Sequence, residues 1–205
     1  MILASFRRTQ SRILEEYAIL LSITRKRISR KDITQRTVCE ALGTRFFTLL
    51  ELLIPEGIKV EIGERVYVGK GFRMKVEAVL RILNYEELSN VARTELRPQV
   101  VNIVKSEEQY FVNFFNNSIP VNIRLHELAL IPGIGKKTMW KILEERKRAP
   151  FESFEDISKR ADLKDPVDCL VERIMEELTS DVKHPLFVAK PIKKIYPRYA
   201  LRASQ

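Results

Sequence analysis

Apolar residues in the first 83 positions recur at strand lengths. YAILLSI (17–23) is a short apolar run that predicts a strand. TRKRISRKD (24–32) follows as a polar, basic loop. RFFTLLELLI (45–54) predicts another strand or a short helix, stopped by the turn residues Pro55-Glu56-Gly57. IKVEI (58–62) alternates apolar and polar positions, as a half-buried strand does, and RVYVG (65–69) follows the Gly63-Glu64 turn. Gly69 and Gly71 bracket Lys70 in a tight turn, and MKVEAVLRIL (74–83) alternates at its start. Short strands between Gly and Pro turns predict a small β-barrel.

At Asn84 the period changes. NYEELSNVARTEL opens with Asn84 as a helix cap and acids in the first turn, and Pro98 predicts a break. Residues 98–117 carry Val100, Ile103, Val104, Phe111, Phe114 and Phe115 at helical spacing, which predicts one long core-facing helix. Further helices are expected over 122–130, 136–147, 152–160 and 166–178. Ser153 ahead of Asp156, and Pro166 after Asp165, have the chemistry of helix starts. Beyond Ser180, Pro185, Pro191 and Pro197 predict an extended tail, with LFVA (186–189) as a short strand. The expected fold class is α+β. A barrel of 1–83 leads through a helical connector, 84–117, to a helical domain, 118–181, and a basic tail, 182–205.

Composition narrows the chemistry. The chain has 205 residues, 45% hydrophobic and 31% charged, a globular balance. No apolar run reaches the roughly 18 residues of a membrane span, and MILASFRRTQ does not resemble a secretory signal. Two cysteines, Cys39 and Cys169, exclude a disulfide framework, and with only His126 and His184 beside them metal chemistry has little to draw on. A reducing, cytoplasmic compartment is expected. The net charge of +9 is unevenly placed. Residues 1–36 and 182–205 each carry +6, 119–148 carry +4, and 149–181 carry −6. Clustered Lys and Arg favour a polyanionic partner, while solubility alone is the simpler alternative.

One stretch combines helical patterning with a glycine turn: LHELALIPGIGKKTMWKILEERK (125–147). Gly133 and Gly135 permit positive φ and close backbone approach. A helix beginning at Lys136 would present free N–H groups at the positive end of its dipole, a geometry that receives phosphate. This pattern resembles a helix–hairpin–helix motif. The resemblance implies sequence-independent grip on a nucleic-acid backbone through Gly133, Ile134, Gly135 and Lys136, with Lys137 and Lys141 adding charge. It also implies a monovalent cation on the main-chain carbonyls of Ala129, Ile131 and Ile134, and no other cofactor. Leu128, Ile131, Ile134 and Ile142 would be core. Met139 and Trp140 stand where such motifs prefer Ala, a departure that would alter how closely the helices pack.

Residues 148–174 resemble the second half of a tandem motif in which LKDP replaces the glycine hairpin, so this half is expected to bury apolar surface rather than hold phosphate. GERVYVGKG (63–71), the long helix, RLHELALIPGIGKKTMWKILEERK (124–147) and PFESFEDI (150–157) together resemble an archaeal family of unknown function. That family pairs an oligonucleotide-binding (OB) type barrel with a C-terminal helix–hairpin–helix domain. An OB-type barrel would add contacts among Arg45, Phe46, Arg65, Tyr67, Lys70, Phe72, Arg73 and Lys75, with core as the simpler place for each aromatic.

These readings converge on a non-catalytic nucleic-acid binder, RNA slightly ahead of DNA, with no membrane partner. The alternative is an interaction module in a larger information-processing complex, its hairpin facing a protein. A more distant alternative is a base-excision DNA glycosylase or lyase, with Lys137 as nucleophile and Asp168 as the Asp that steadies positive charge. Asp168 lies 33 residues past Gly135, too far for that family's compact pattern. Adjacent acid pairs such as Glu144-Glu145 diverge around a helix and read as surface.

Overall fold

Five antiparallel strands curl around a small apolar core and rest their outer face on helices. The computed structural model describes residues 15–27 and 35–189. The expectations for residues 1–12, the distal part of the 24–32 loop and the tail beyond Ala189 lie outside the described residues. The strands are β1 (Tyr17–Lys26), β2 (Arg36–Gly43), β3 (Leu49–Leu53), β4 (Arg65–Tyr67) and β5 (Ala78–Ile82), in sheet order β4-β1-β2-β3-β5. Ala18, Leu20, Ala41, Leu50, Val66 and Val79 fill the inner core. The opposite phase, including Leu21, Leu42 and Leu49, joins a second core made mainly by the helices. The two periods of a strand thus serve two cores.

The sheet is not closed, where a small barrel was expected. β4 is only three residues long, and IKVEI (58–62) forms no strand despite its alternation; both Ile58 and Ile62 are exposed. β4 and β5 therefore remain edges.

Asn84 caps a single 3-10 turn, Tyr85–Glu87, rather than a long helix. The helix proper, α1 (Asn90–Ser106), starts after Ser89, whose hydroxyl accepts the Ala92 N–H at 3.2 Å. It runs through Pro98, where a break was expected. Pro98 lies on the exposed face, as does Thr94, whose carbonyl loses its helix donor there. The break instead falls at Glu107, before α2 (Glu108–Asn117). Residues 122–130, expected as helix, fall instead in a two-stranded hairpin, β6 (Pro120–Asn122) with β7 (Leu125–His126), and a 3-10 turn, Glu127–Leu130. The Arg124 N–H donates to Asn122 Oδ1 at 2.8 Å, an Asx turn that competes with helix. Then come α3 (Lys136–Arg148), α4 (Phe154–Ala161) and α5 (Pro166–Thr179), with Ser153 and Asp165 as side-chain caps.

Two buried carboxylates fasten the first and last described segments. Glu15 accepts N–H bonds from Arg45, Phe46 and Thr48 at 2.8 to 3.1 Å. Its carboxylate fills the space in which a side chain at Gly43 would have to sit. Glu177 accepts from Leu186, Phe187 and Val188 at 2.7 to 2.9 Å and from Arg173 Nε at 2.8 Å. Burial pushes both carboxyl pKa values up, opposed at Glu15 by the amides and at Glu177 by Arg173 and the amides. Residues 186–189, expected as a strand, are instead held by this clamp and by the Ala189 N–H bond to the Phe46 carbonyl at 2.9 Å.

Candidate nucleic-acid interface

The Ile131–Gly135 turn alternates between anchor and display. Ile131 and Ile134 are buried, whereas Pro132, Gly133 and Gly135 are exposed. The Ile134 N–H donates to the Ile131 carbonyl at 3.1 Å, a bond that closes the turn. Gly133 adopts φ +83°, as anticipated; Gly135 sits at φ −77° and needs no glycine for its conformation. Gly135 is the N-cap of α3 and offers no side-chain oxygen to the first-turn amides of Lys136, Lys137 and Thr138. A side chain there would meet open space.

The charges around the turn are not equivalent. Lys136 and Lys137 are exposed and form no ion pair among the described residues. Lys141 turns away to Asp162, Nζ to Oδ2 2.9 Å, and this contact, with Lys137 further off, lowers the Asp162 pKa. Arg146, another member of the basic 119–148 stretch, is structural: it donates to the carbonyls of Phe115 and Ser118 and to the Ser118 hydroxyl at 2.9 to 3.0 Å. His126 accepts the Leu128 N–H at Nδ1, 3.1 Å, and so caps the 3-10 turn leading into the hairpin. Burial foremost, then the nearby Arg146, lowers its pKa, against Glu127.

A second basic group gathers at the β4 end of the sheet. Arg65 lies over the Tyr17 ring at 4.3 Å, and the Tyr67 ring meets Tyr17 edge-on at 5.4 Å. The Tyr67 hydroxyl donates to the Lys70 carbonyl at 2.6 Å, and Arg73 Nε donates to the Gly69 carbonyl at 2.8 Å. Lys70 is exposed; Lys75 pairs with Glu64. Phe72 is 87% exposed, contrary to the core position expected of it, because the residues around it are loop rather than strand. Phe46 is buried, as expected, and Arg45 lies over the Tyr110 ring at 4.4 Å.

A family model described as "Protein of unknown function (DUF655)" matches residues 14–189. The chain belongs to the DUF655 family. It is 42% identical over 163 residues to the uncharacterized protein MJ0038 of Methanocaldococcus jannaschii, covering 80% of this chain and 75% of that one. The crystal structure of Af1531 from Archaeoglobus fulgidus, itself identified with DUF655, matches with a TM-score of 0.75 and 41% identity over 85% of this chain and all of the other. Both relatives are archaeal, as the family resemblance implied.

Within this DUF655 chain the surroundings of both cysteines favour the neutral thiol. Burial pushes Cys39 up to about 12, and burial together with Asp165 and Asp168 raises Cys169. Asp168 is held by Arg97 at 3.0 Å, and Arg97 also reaches Glu172 at 2.7 Å. Among the described residues no group of His, Cys, Asp or Glu has the makings of a metal site, and no helix is long and apolar enough to cross a membrane. Two side chains are displayed where sequence reasoning placed them in packing. Met74, 77% exposed, shares the apolar phase of Val76, so alternation placed it inward. Trp140, 60% exposed, projects from α3 rather than crowding its packing, while Met139 packs against the helical core.

Proposed function

We propose that the protein binds the phosphate backbone of nucleic acid without catalysis, RNA ahead of DNA, through the Gly133–Lys137 turn. The observation that carries this reading is a single exposed element joining three features: the uncapped first-turn amides of α3, the positive end of its dipole, and the exposed ammonium groups of Lys136 and Lys137, which form no ion pair among the described residues. The buried Ile131 and Ile134 hold that element rigid against the helical core, so little ordering is needed on binding. This is the helix–hairpin–helix reading of residues 125–147. A monovalent cation suits the same turn as a ligand of neutral oxygens. The Ile131 carbonyl keeps a lone pair beyond the Ile134 bond, and the carbonyls of Ala129 and Ile134 would complete the set.

The sheet adds a second basic contact through Arg65, Lys70 and Arg73. Its five antiparallel strands with free β4 and β5 edges support a partly open OB-type arrangement. Exposed Trp140 and Ile123 favour a second reading, in which the helical region faces a protein of a larger assembly.

Salt titration separates the two. Anisotropy of labelled RNA and DNA oligonucleotides, measured from about 50 to 200 mM salt, should show affinity falling linearly in log salt with a slope of about −2 or steeper. A flat response, or no binding of either polymer at 50 mM, contradicts the backbone-binding reading.

A further inference from the structure

The loop between Val68 and Val76 holds two large apolar side chains in water. Phe72 is 87% and Met74 77% exposed, beside a tip at Gly71 (φ +107°) with no neighbour within 4 Å of where a side chain would start. Such display by a loose loop would mean little. This loop is clasped on both sides: the Tyr67 hydroxyl holds the Lys70 carbonyl at 2.6 Å, and Arg73 Nε holds the Gly69 carbonyl at 2.8 Å. Gly69 has no room for a side chain, since a Cβ would lie 2.7 Å from the Tyr67 hydroxyl. The backbone is therefore tied just before Phe72, which projects outward beside the two bonds.

Its surroundings state what would cover it. Exposed Lys70 precedes Phe72 by two residues, Arg73 follows it, and Arg65 lies on the adjoining strand edge. A ligand meeting this surface must bring a flat apolar face together with negative charge. A nucleobase on its phosphodiester chain has both. In continuous duplex, however, base faces are stacked on each other and unavailable to a side chain. Resting on the nucleic-acid reading above, we infer that the Phe72 loop is a stacking contact for an unpaired base, so that the ligand carries single-stranded nucleotides. Lys70 and Arg73 take the phosphates beside the stacked base, and Met74 widens the apolar seat.

The test uses the full chain with three labelled ligands: a 20-nucleotide single strand, the matching blunt duplex, and anionic phospholipid vesicles. It compares the wild type with Phe72→Ala and with Lys136→Glu/Lys137→Glu. Phe72 touches little of the fold, so its replacement should leave the melting curve unchanged. The inference predicts that Phe72→Ala weakens single-strand binding on the order of tenfold and leaves duplex binding within a factor of two, while the lysine reversal weakens both. Unchanged single-strand affinity in Phe72→Ala overturns the inference while leaving the hairpin reading intact if the lysine reversal still acts. Equal loss on strand and duplex also overturns it, as does vesicle binding that depends on Phe72 without any strand binding. No polymer bound by the wild type defeats both readings.

Discussion

Gly133 and Cys169 meet so closely that a Cβ on the glycine would stand 2.9 Å from the Cys169 sulfur. The exposed turn is thus seated on the first turn of α5, and its φ of +83° is set against a fixed neighbour. Gly133→Ala meets both penalties, backbone strain and overlap, and should cost about 1–3 kcal/mol. In Gly133→Ala/Cys169→Ala only the strain persists. Urea denaturation of the two singles and the double should therefore return a favourable coupling; strict additivity would mean that the contact is not what restricts the position.

Glu177 is enclosed with Arg173 and three backbone amides. In Glu177→Gln the amide NH2 would face N–H donors, and the buried Arg173 guanidinium would keep only the half-exposed Glu176, 2.9 Å away, as counter-charge. A loss of about 3–5 kcal/mol is expected in chemical denaturation. Glu177→Asp, which keeps the charge but shortens the reach, should cost less.

His126 gives the hairpin a pH dependence. Its Nδ1 accepts a bond only when unprotonated, and its folded pKa lies below the ordinary value. A depressed pKa means that the folded state resists protonation. Its stabilising contribution is complete above about pH 6.5 and declines as pH falls through the lowered value. Melting temperature should be level above neutrality and drop toward pH 5. His126→Asn, which retains an acceptor for the Leu128 N–H, should flatten that drop.

The Lys141–Asp162 pair withholds one cation from the proposed interface. Asp162 occupies a left-handed conformation, φ +58°, that Asn tolerates well. Asp162→Asn should release Lys141, raise affinity for RNA and steepen the log-salt slope by up to about one. No change in slope would mean that Lys141 lies outside the phosphate path.

Local chemistry made some of this readable and tertiary context hid the rest. Ser153, Asp165 and Pro166 start their helices because caps act within a turn of sequence. The Gly133 turn was legible because positive φ and flanking buried isoleucines leave a fixed pattern. β2 was not. RTVCEALG lies between β1 and β3 and packs on both faces, so its burial does not alternate cleanly. IKVEI alternates but finds no partner strand. Pro98 marked a break that an exposed helix face absorbs. The fates of Lys141 and Arg146 depended on Asp162 and on the Phe115 and Ser118 carbonyls, contacts far away along the chain. Charge counting therefore overstated what the hairpin displays.

Reversing the two displayed charges tests the central claim most directly. Lys136 and Lys137 are exposed, so Lys136→Glu/Lys137→Glu should leave the melting curve near that of the wild type. RNA titrations of both proteins at fixed low salt should show affinity falling at least about tenfold, with the log-salt slope reduced by about two. Wild-type affinity and slope in the double variant would contradict the account.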